Sequence, residues 1–174
     1  MQTILFLSLI MSLNTPILLY KSGDSPQYWT IINDTVMGGI SKSFVSYAKE
    51  GYTKFEGKVS TAYNGGFSAM KLGFETINIE KTNTIVIHLK GDGKRYQFRV
   101  KEKSQDAHSF IHYFETNGKW QTIEIPMKDL KASFRGRMLN TILFSNSILE
   151  EVGVLIGNKT NETFELLIAS IYLK

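Results

Sequence analysis

The sequence predicts an all-β fold of the sandwich or barrel kind. Two observations carry that expectation. No long segment repeats its apolar residues at helical spacing, and the apolar runs are short, alternating and punctuated by Gly, Asn and Asp. The many runs follow one another at close spacing, a rhythm that suits stacked antiparallel sheets and does not suit βαβ units.

The runs can be taken in order. Residues 16–21 read as an opening strand. Residues 52–60 carry Phe55 and Val59 on one face, and residues 66–74 follow. In residues 84–90, Ile85, Ile87 and Leu89 share a face opposite Val86 and His88. Residues 95–101 alternate most cleanly: Tyr96, Phe98 and Val100 point inward, while Gln97, Arg99 and Lys101 point outward. Further strands are expected over 109–116, 119–125, 151–156 and 163–173. Asn117-Gly118, between two of these runs, predicts a two-residue hairpin. Residues 126–130 allow a single helical turn. No linker, internal repeat or low-complexity tract interrupts the chain, so residues 15–174 are expected to form one domain.

The bulk chemistry excludes more than it selects. A chain of 174 residues is long enough for one domain with a proper core. Twenty Lys and Arg against 16 Asp and Glu leave a formal charge of +4, but the cations are spread along the chain. A solvated, mildly basic surface is expected, with no nucleic-acid partner. With no Cys, disulfides, thiolate metal sites and a cysteine nucleophile are excluded. His88, His108 and His112 lack metal-ligand spacing, so no metal and no cofactor is expected. No G-x-S-x-G elbow precedes a helix, and no G-x-G-x-x-G opens one. Residues 3–13 are apolar apart from Thr3, Ser8 and Ser12. That run is too short to span a membrane but fits the apolar region of a signal peptide. Residues 1–14 are therefore read either as a signal segment, with export to the periplasm, or as an apolar N-terminal tail or strand.

Three turn-rich knots interrupt the β pattern. The first is Trp29-Thr30-Ile31-Ile32-Asn33-Asp34-Thr35-Val36-Met37-Gly38-Gly39-Ile40-Ser41-Lys42-Ser43; Asn64-Gly65-Gly66-Phe67 and Gly91-Asp92-Gly93-Lys94-Arg95-Tyr96 follow. Glycine supplies positive φ, and Asn and Asp side chains bond nearby backbone N–H groups, so such loops have defined shapes. Together with Phe55-Glu56-Gly57-Lys58-Val59-Ser60, Trp120-Gln121-Thr122-Ile123-Glu124-Ile125-Pro126, Phe134-Arg135-Gly136-Arg137 and the closing Phe164-Glu165-Leu166, these stretches resemble the complex I intermediate-associated protein family, in family order. The resemblance covers residue 20 to the C-terminus. It implies a single-domain jelly-roll β-sandwich of the galactose-binding-like type. It also implies a non-catalytic assembly-factor role, because mitochondrial relatives assist assembly of respiratory complex I. The family often has Arg where Lys71 stands, and no Arg-rich transit peptide is visible, so a free-standing bacterial member is expected.

The binding candidates follow from these knots: Asn33, Asp34, Ser41, Tyr63, Asn64, Lys71, Arg95 and Arg135. Asn33 and Asp34 either hold a polar ligand or cap the turn before Gly38-Gly39. Arg135, in a loop with Arg137 close by, either takes a carboxylate or phosphate bidentately or forms an internal salt bridge with Asp34 or Asp92. A further expectation places Asn33, Asp34, Asn64 and Arg135 in one loop cluster. Tyr28, Trp29, Tyr63, Phe67, Tyr113 and Trp120 could form a sugar-stacking platform. Trp29, Phe67 and Trp120 are expected in the core and Tyr63 in solvent. The functional expectation is a protein-binding module whose partner is a subunit of a respiratory or other oxidoreductase complex. The alternative is a module for carbohydrate or another polar small ligand.

Overall fold

The computed structural model describes residues 17–21, 29–48 and 50–174. The expected N-terminal signal or tail segment, residues 1–14, lies outside them.

Thirteen strands are described: β1 (Ile17–Lys21), β2 (Thr30–Asn33), β3 (Lys42–Ala48), β4 (Tyr52–Val59), β5 (Ser68–Asn78), β6 (Thr84–Lys90), β7 (Arg95–Lys101), β8 (Ser109–Glu115), β9 (Trp120–Pro126), β10 (Lys131–Phe134), β11 (Arg137–Met138), β12 (Ile148–Ile156) and β13 (Glu162–Leu173). They form two antiparallel sheets. One has the order β3-β4-β13-β6-β9, with β1 also on β13; the other runs β11-β10-β8-β7-β12-β5-β2. The fold is the single-domain all-β sandwich that the sequence predicts.

Alternation explains how the sheets close on each other. Ile85, Ile87 and Leu89 from β6 and Leu166, Ile168 and Ile171 from β13 are fully buried, as are Phe98 from β7 and Val152, Val154 and Ile156 from β12. Each such side chain contributes roughly 1.5–3 kcal/mol of burial. The expected bounds of β6 and β7 are those observed. The helical turn over 126–130 is present as a 3-10 turn, Met127–Asp129.

Two expectations are corrected. Asn117-Gly118 is not a hairpin: β8 pairs with β7 and β10, whereas β9 pairs with β6 in the other sheet. Gly118 has the positive φ (76°) the motif predicts, but the turn carries the chain across the sandwich. Trp120 is not in the core. It begins β9 on the outer face, 43% exposed, and stacks on His88 at 5.2 Å with Tyr52 at 5.7 Å. Trp29 is buried as expected, and Phe67 is only partly so. Four strands, β2, β3, β10 and β11, were not visible in the pattern. β2, β10 and β11 are only two to four residues long, too short to show a two-residue period.

Candidate functional site

Two crossings between the sheets meet at one end of the sandwich. The chain leaves β2 in the seven-stranded sheet, makes a 3-10 turn over Asp34–Met37, and enters β3 in the other sheet. It returns from β4 to β5 through residues 60–67. Asp34 joins the two. Its carboxylate has no exposure to solvent and accepts from Ser41 N–H (2.9 Å), Gly66 N–H (2.6 Å), Phe67 N–H (3.3 Å) and, in a short bond, the Ser41 hydroxyl. Its own N–H donates to Phe67 O at 3.3 Å. Ser41 Oγ in turn accepts from Ser60 N–H at 2.9 Å. Burial pushes the Asp34 pKa up, but the Ser41, Gly66 and Phe67 donors outweigh it and hold the carboxyl below its usual value.

Asn33 does parallel work. Its Oδ1 accepts from the hydroxyls of Ser43 (2.7 Å) and Ser68 (2.8 Å), linking the same two crossings. Asn33, Asp34 and Ser41 are therefore engaged inside the protein. Of the two readings of Asn33 and Asp34, the geometry takes the structural one, with a change of target: Asp34 bonds the partner loop 32 and 33 residues away as well as its own.

What this clamp displays is apolar. Val36 is 74% exposed, Met37 63% and Tyr63 73%, with Ile40 half in solvent. Tyr63 and Asn64 both have left-handed backbone, with φ of 56° and 59°. A bulky residue there costs of the order of 1–3 kcal/mol and persists only where surrounding bonds impose it. The Asp34 bonds to the following Gly66 and Phe67 supply that constraint. The sequence reading missed Val36, Met37 and Ile40. The available signal was apolar residues inside a segment otherwise made of turn formers.

The cationic candidates lie elsewhere. Arg135, with φ 48°, occupies the β10–β11 turn at the opposite edge of the seven-stranded sheet from β2. Its guanidinium lies over the Phe134 ring at 5.2 Å, and it has no ion pair among the described residues. The expected cluster of Asn33, Asp34, Asn64 and Arg135 is corrected: the first three share one end, and the width of a sheet separates them from Arg135. Asp92 is not its partner either, since that carboxylate accepts from Lys94 Nζ (2.7 Å), the Tyr96 hydroxyl (2.9 Å) and Glu165 N–H (3.1 Å). Arg135→Ala is accordingly expected to change unfolding free energy by less than about 0.5 kcal/mol in urea titration. A loss above about 1 kcal/mol would reveal a partner the geometry does not contain.

Lys71 and Arg95 stand on the outer face of the seven-stranded sheet. Lys71 pairs with Glu151 at 2.8 Å, and Arg95 lies over the Tyr113 ring at 4.8 Å. Tyr28 lies outside the described residues; of the other expected platform aromatics, Tyr113, Trp120 and Tyr63 occupy different surfaces and Trp29 is inside, so these do not form one platform. Among the described residues no group of three or more His, Asp or Glu could hold a metal, and no helix is long and apolar enough to cross a membrane.

Comparison with known proteins follows the fold. The family described as complex I intermediate-associated protein 30 matches residues 18–168. No curated protein matches the chain. A family 11 carbohydrate-binding module of a cellulosomal cellulase of Clostridium thermocellum superposes with a TM-score of 0.70 at 15% identity, covering 91% of this chain and 94% of that one. A family 30 carbohydrate-binding module gives a TM-score of 0.59 at 12% identity, covering 92% and 98%. At such identities the likeness shows the fold alone.

Proposed function

Because the chain belongs to the complex I intermediate-associated protein 30 family, we propose that it is a non-catalytic protein-binding module that serves assembly of an oxidoreductase complex. One observation carries the reading: the Asp34 clamp spends a buried carboxylate and two left-handed residues to present Val36, Met37, Ile40 and Tyr63 to solvent. Exposed apolar side chains on a rigid loop pair are how a protein surface captures another. Asn33, Asp34 and Ser41 are consumed internally, and Asn64 sits beside Tyr63 as a polar rim. The partner in this reading is a subunit of a respiratory or related oxidoreductase.

The experiment is retention of partners from the native host by the full chain and by a Val36→Asp/Met37→Asp variant. Both sites are solvent-exposed, so the variant should melt within a few degrees of the parent. The parent is expected to retain an oxidoreductase subunit identified by mass spectrometry, and the variant to lose it. Retention of that subunit by both proteins, or its absence from the parent, would defeat the proposal.

A further inference from the structure

The cations of this chain are unevenly placed. Residues 128–137 carry Lys128, Lys131, Arg135 and Arg137 against Asp129 alone, a net +3 in a chain whose total is +4. None of the four cations has an ion pair among the described residues. Glu102 reaches the neighbouring loop from the end of β7, and its carboxylate accepts there from Ser145 N–H at 2.5 Å. Apolar side chains stand in solvent beside the cations: Leu143 is 82% exposed, Met138 47%, Phe134 39% and Ile142 37%. A cleft of about 370 Å3 gathers the two kinds, with Lys128 and Lys131 lining it together with Leu130, Leu139, Ile142 and Leu143.

The hairpin that carries the arginines is built to project. Arg135 and Gly136 have φ of 48° and 77°, the pair of left-handed residues that a tight two-residue turn needs. Phe134 pairs with Arg137 and Ser133 with Met138 across it, and Leu139 N–H extends the ladder to Ala132 O at 2.8 Å. By alternation Phe134 and Arg137 share the hairpin face of Ala132 and Leu139, the face on which the cleft lies. β11 is the last strand of its sheet, so the tip ends the sandwich at this edge. Every residue from 134 to 143 except Leu139 is exposed.

We propose that the β10–β11 hairpin and the adjoining 139–143 loop form a docking surface for an anionic phospholipid bilayer. Phe134 and Leu143 enter the interface, while Lys128, Lys131, Arg135 and Arg137 meet the lipid phosphates. Long Lys and Arg stems lie along apolar surface and keep their charges in the polar layer. Exposed apolar side chains backed by unpaired cations have the balance that holds a peripheral element in a membrane interface, without any spanning segment. A nucleic acid would use the charges and leave Phe134 and Leu143 in water. The surface lies at the opposite edge of the seven-stranded sheet from β2 and shares no residue with the Val36 loop, so it stands or falls separately from the assembly reading.

Flotation of the full chain with lipid vesicles tests the surface. One set is phosphatidylcholine alone, and the other contains about one third phosphatidylglycerol. Partition onto the anionic set is expected to exceed that onto the neutral set at least about tenfold in ~0.1 M salt, and to fall as salt rises. Each cation near an anionic membrane gives roughly a fivefold gain, so Arg135→Gln/Arg137→Gln should lose about tenfold or more. Phe134→Ser/Leu143→Ser keeps every charge and should still lose at least about fivefold. All four positions are exposed, so both variants should melt within a few degrees of the parent. Equal partition onto the two sets, or none onto the anionic one, would overturn the proposal. So would unchanged binding by Arg135→Gln/Arg137→Gln, which would place attachment elsewhere, the apolar run over residues 3–13 included. Full binding by Phe134→Ser/Leu143→Ser would reduce the surface to a general polyanion patch and overturn it as well. Where one variant melts well below the parent, the other decides; if both do, the surface is structural and the proposal falls.

Discussion

Replacing Asp34 by alanine is expected to lower the unfolding free energy by roughly 3–5 kcal/mol, since each donor orphaned in the interior costs about 1–3 kcal/mol. Four donors lose their acceptor at once: the N–H groups of Ser41, Gly66 and Phe67 and the Ser41 hydroxyl. Asp34→Asn should fare only partly better. Oδ1 serves Ser41 N–H while Oδ2 serves the other three donors. Whichever way the amide turns, its NH2 group faces donors. The same bonds set a pH dependence. The folded carboxyl titrates below its unfolded value of 3.8. Its contribution is therefore complete above the unfolded pKa and is lost as pH falls below 3.8 through the folded pKa. Urea midpoints measured from pH 6 down to the acid limit should decline more steeply below pH 3.8 in the parent than in Asp34→Asn. Parallel curves would show that the carboxylate is not held as its geometry requires.

Gly39→Ala is the second large expected loss, about 1–3 kcal/mol from overpacking. The residue has no unusual φ. The positive value belongs to Gly38, at 90°. A Cβ at Gly39 would instead stand 2.3 Å from Asp34 Oδ1 and 2.4 Å from its Cγ, so a methyl group would drive the carboxylate off its donors. The two residues must then be coupled. Once Asp34 is alanine the methyl meets far less, and the double variant should lose less than the sum, with a coupling of about 0.5–3 kcal/mol. Additive losses in denaturant titration would mean that the glycine is needed for some other reason.

Glycine at this position was legible in the sequence, but its reason was not. A Gly-Gly pair after Asn-Asp reads as a demand for positive φ at either residue, because local sequence carries dihedral preferences and nothing about which side chain approaches from elsewhere. Gly66 does have positive φ, 132°. Gly39 owes its identity to a side chain whose position is set by bonds to a loop more than 30 residues away.

The same division runs through the candidate site. Asn33, Asp34 and Asn64 could be picked out because Asx residues beside glycines announce shaped turns. Arg135 was picked out on equal local grounds, a cation in a glycine turn, and stands at the far edge of its sheet. Loop chemistry repeats along a chain without saying which loops meet. Arg99 was readable only as one outward residue of a well-alternating strand. That it stands abreast of Gly153 and Lys71, with Glu151 already taken, depends on two strand registers between residues 54 and 82 positions apart.

What the sequence by itself determined is therefore what period and turn chemistry encode: an all-β chain, the core faces of β4, β6 and β7, the positions of its bends, and membership of its family. These follow from each residue and its nearest neighbours, through the two-residue period of a strand and the dihedral needs of glycine and asparagine. The tertiary structure alone decided which strand belongs to which sheet, as at Asn117-Gly118, where the expected hairpin turn crosses the sandwich. It decided that Trp120 faces water, that Asp34 ties two crossings together, and that Val36, Met37 and Ile40 are left outside. Each of these is a long-range pairing, settled by how two sheets bury a common core, and no local pattern specifies the partner.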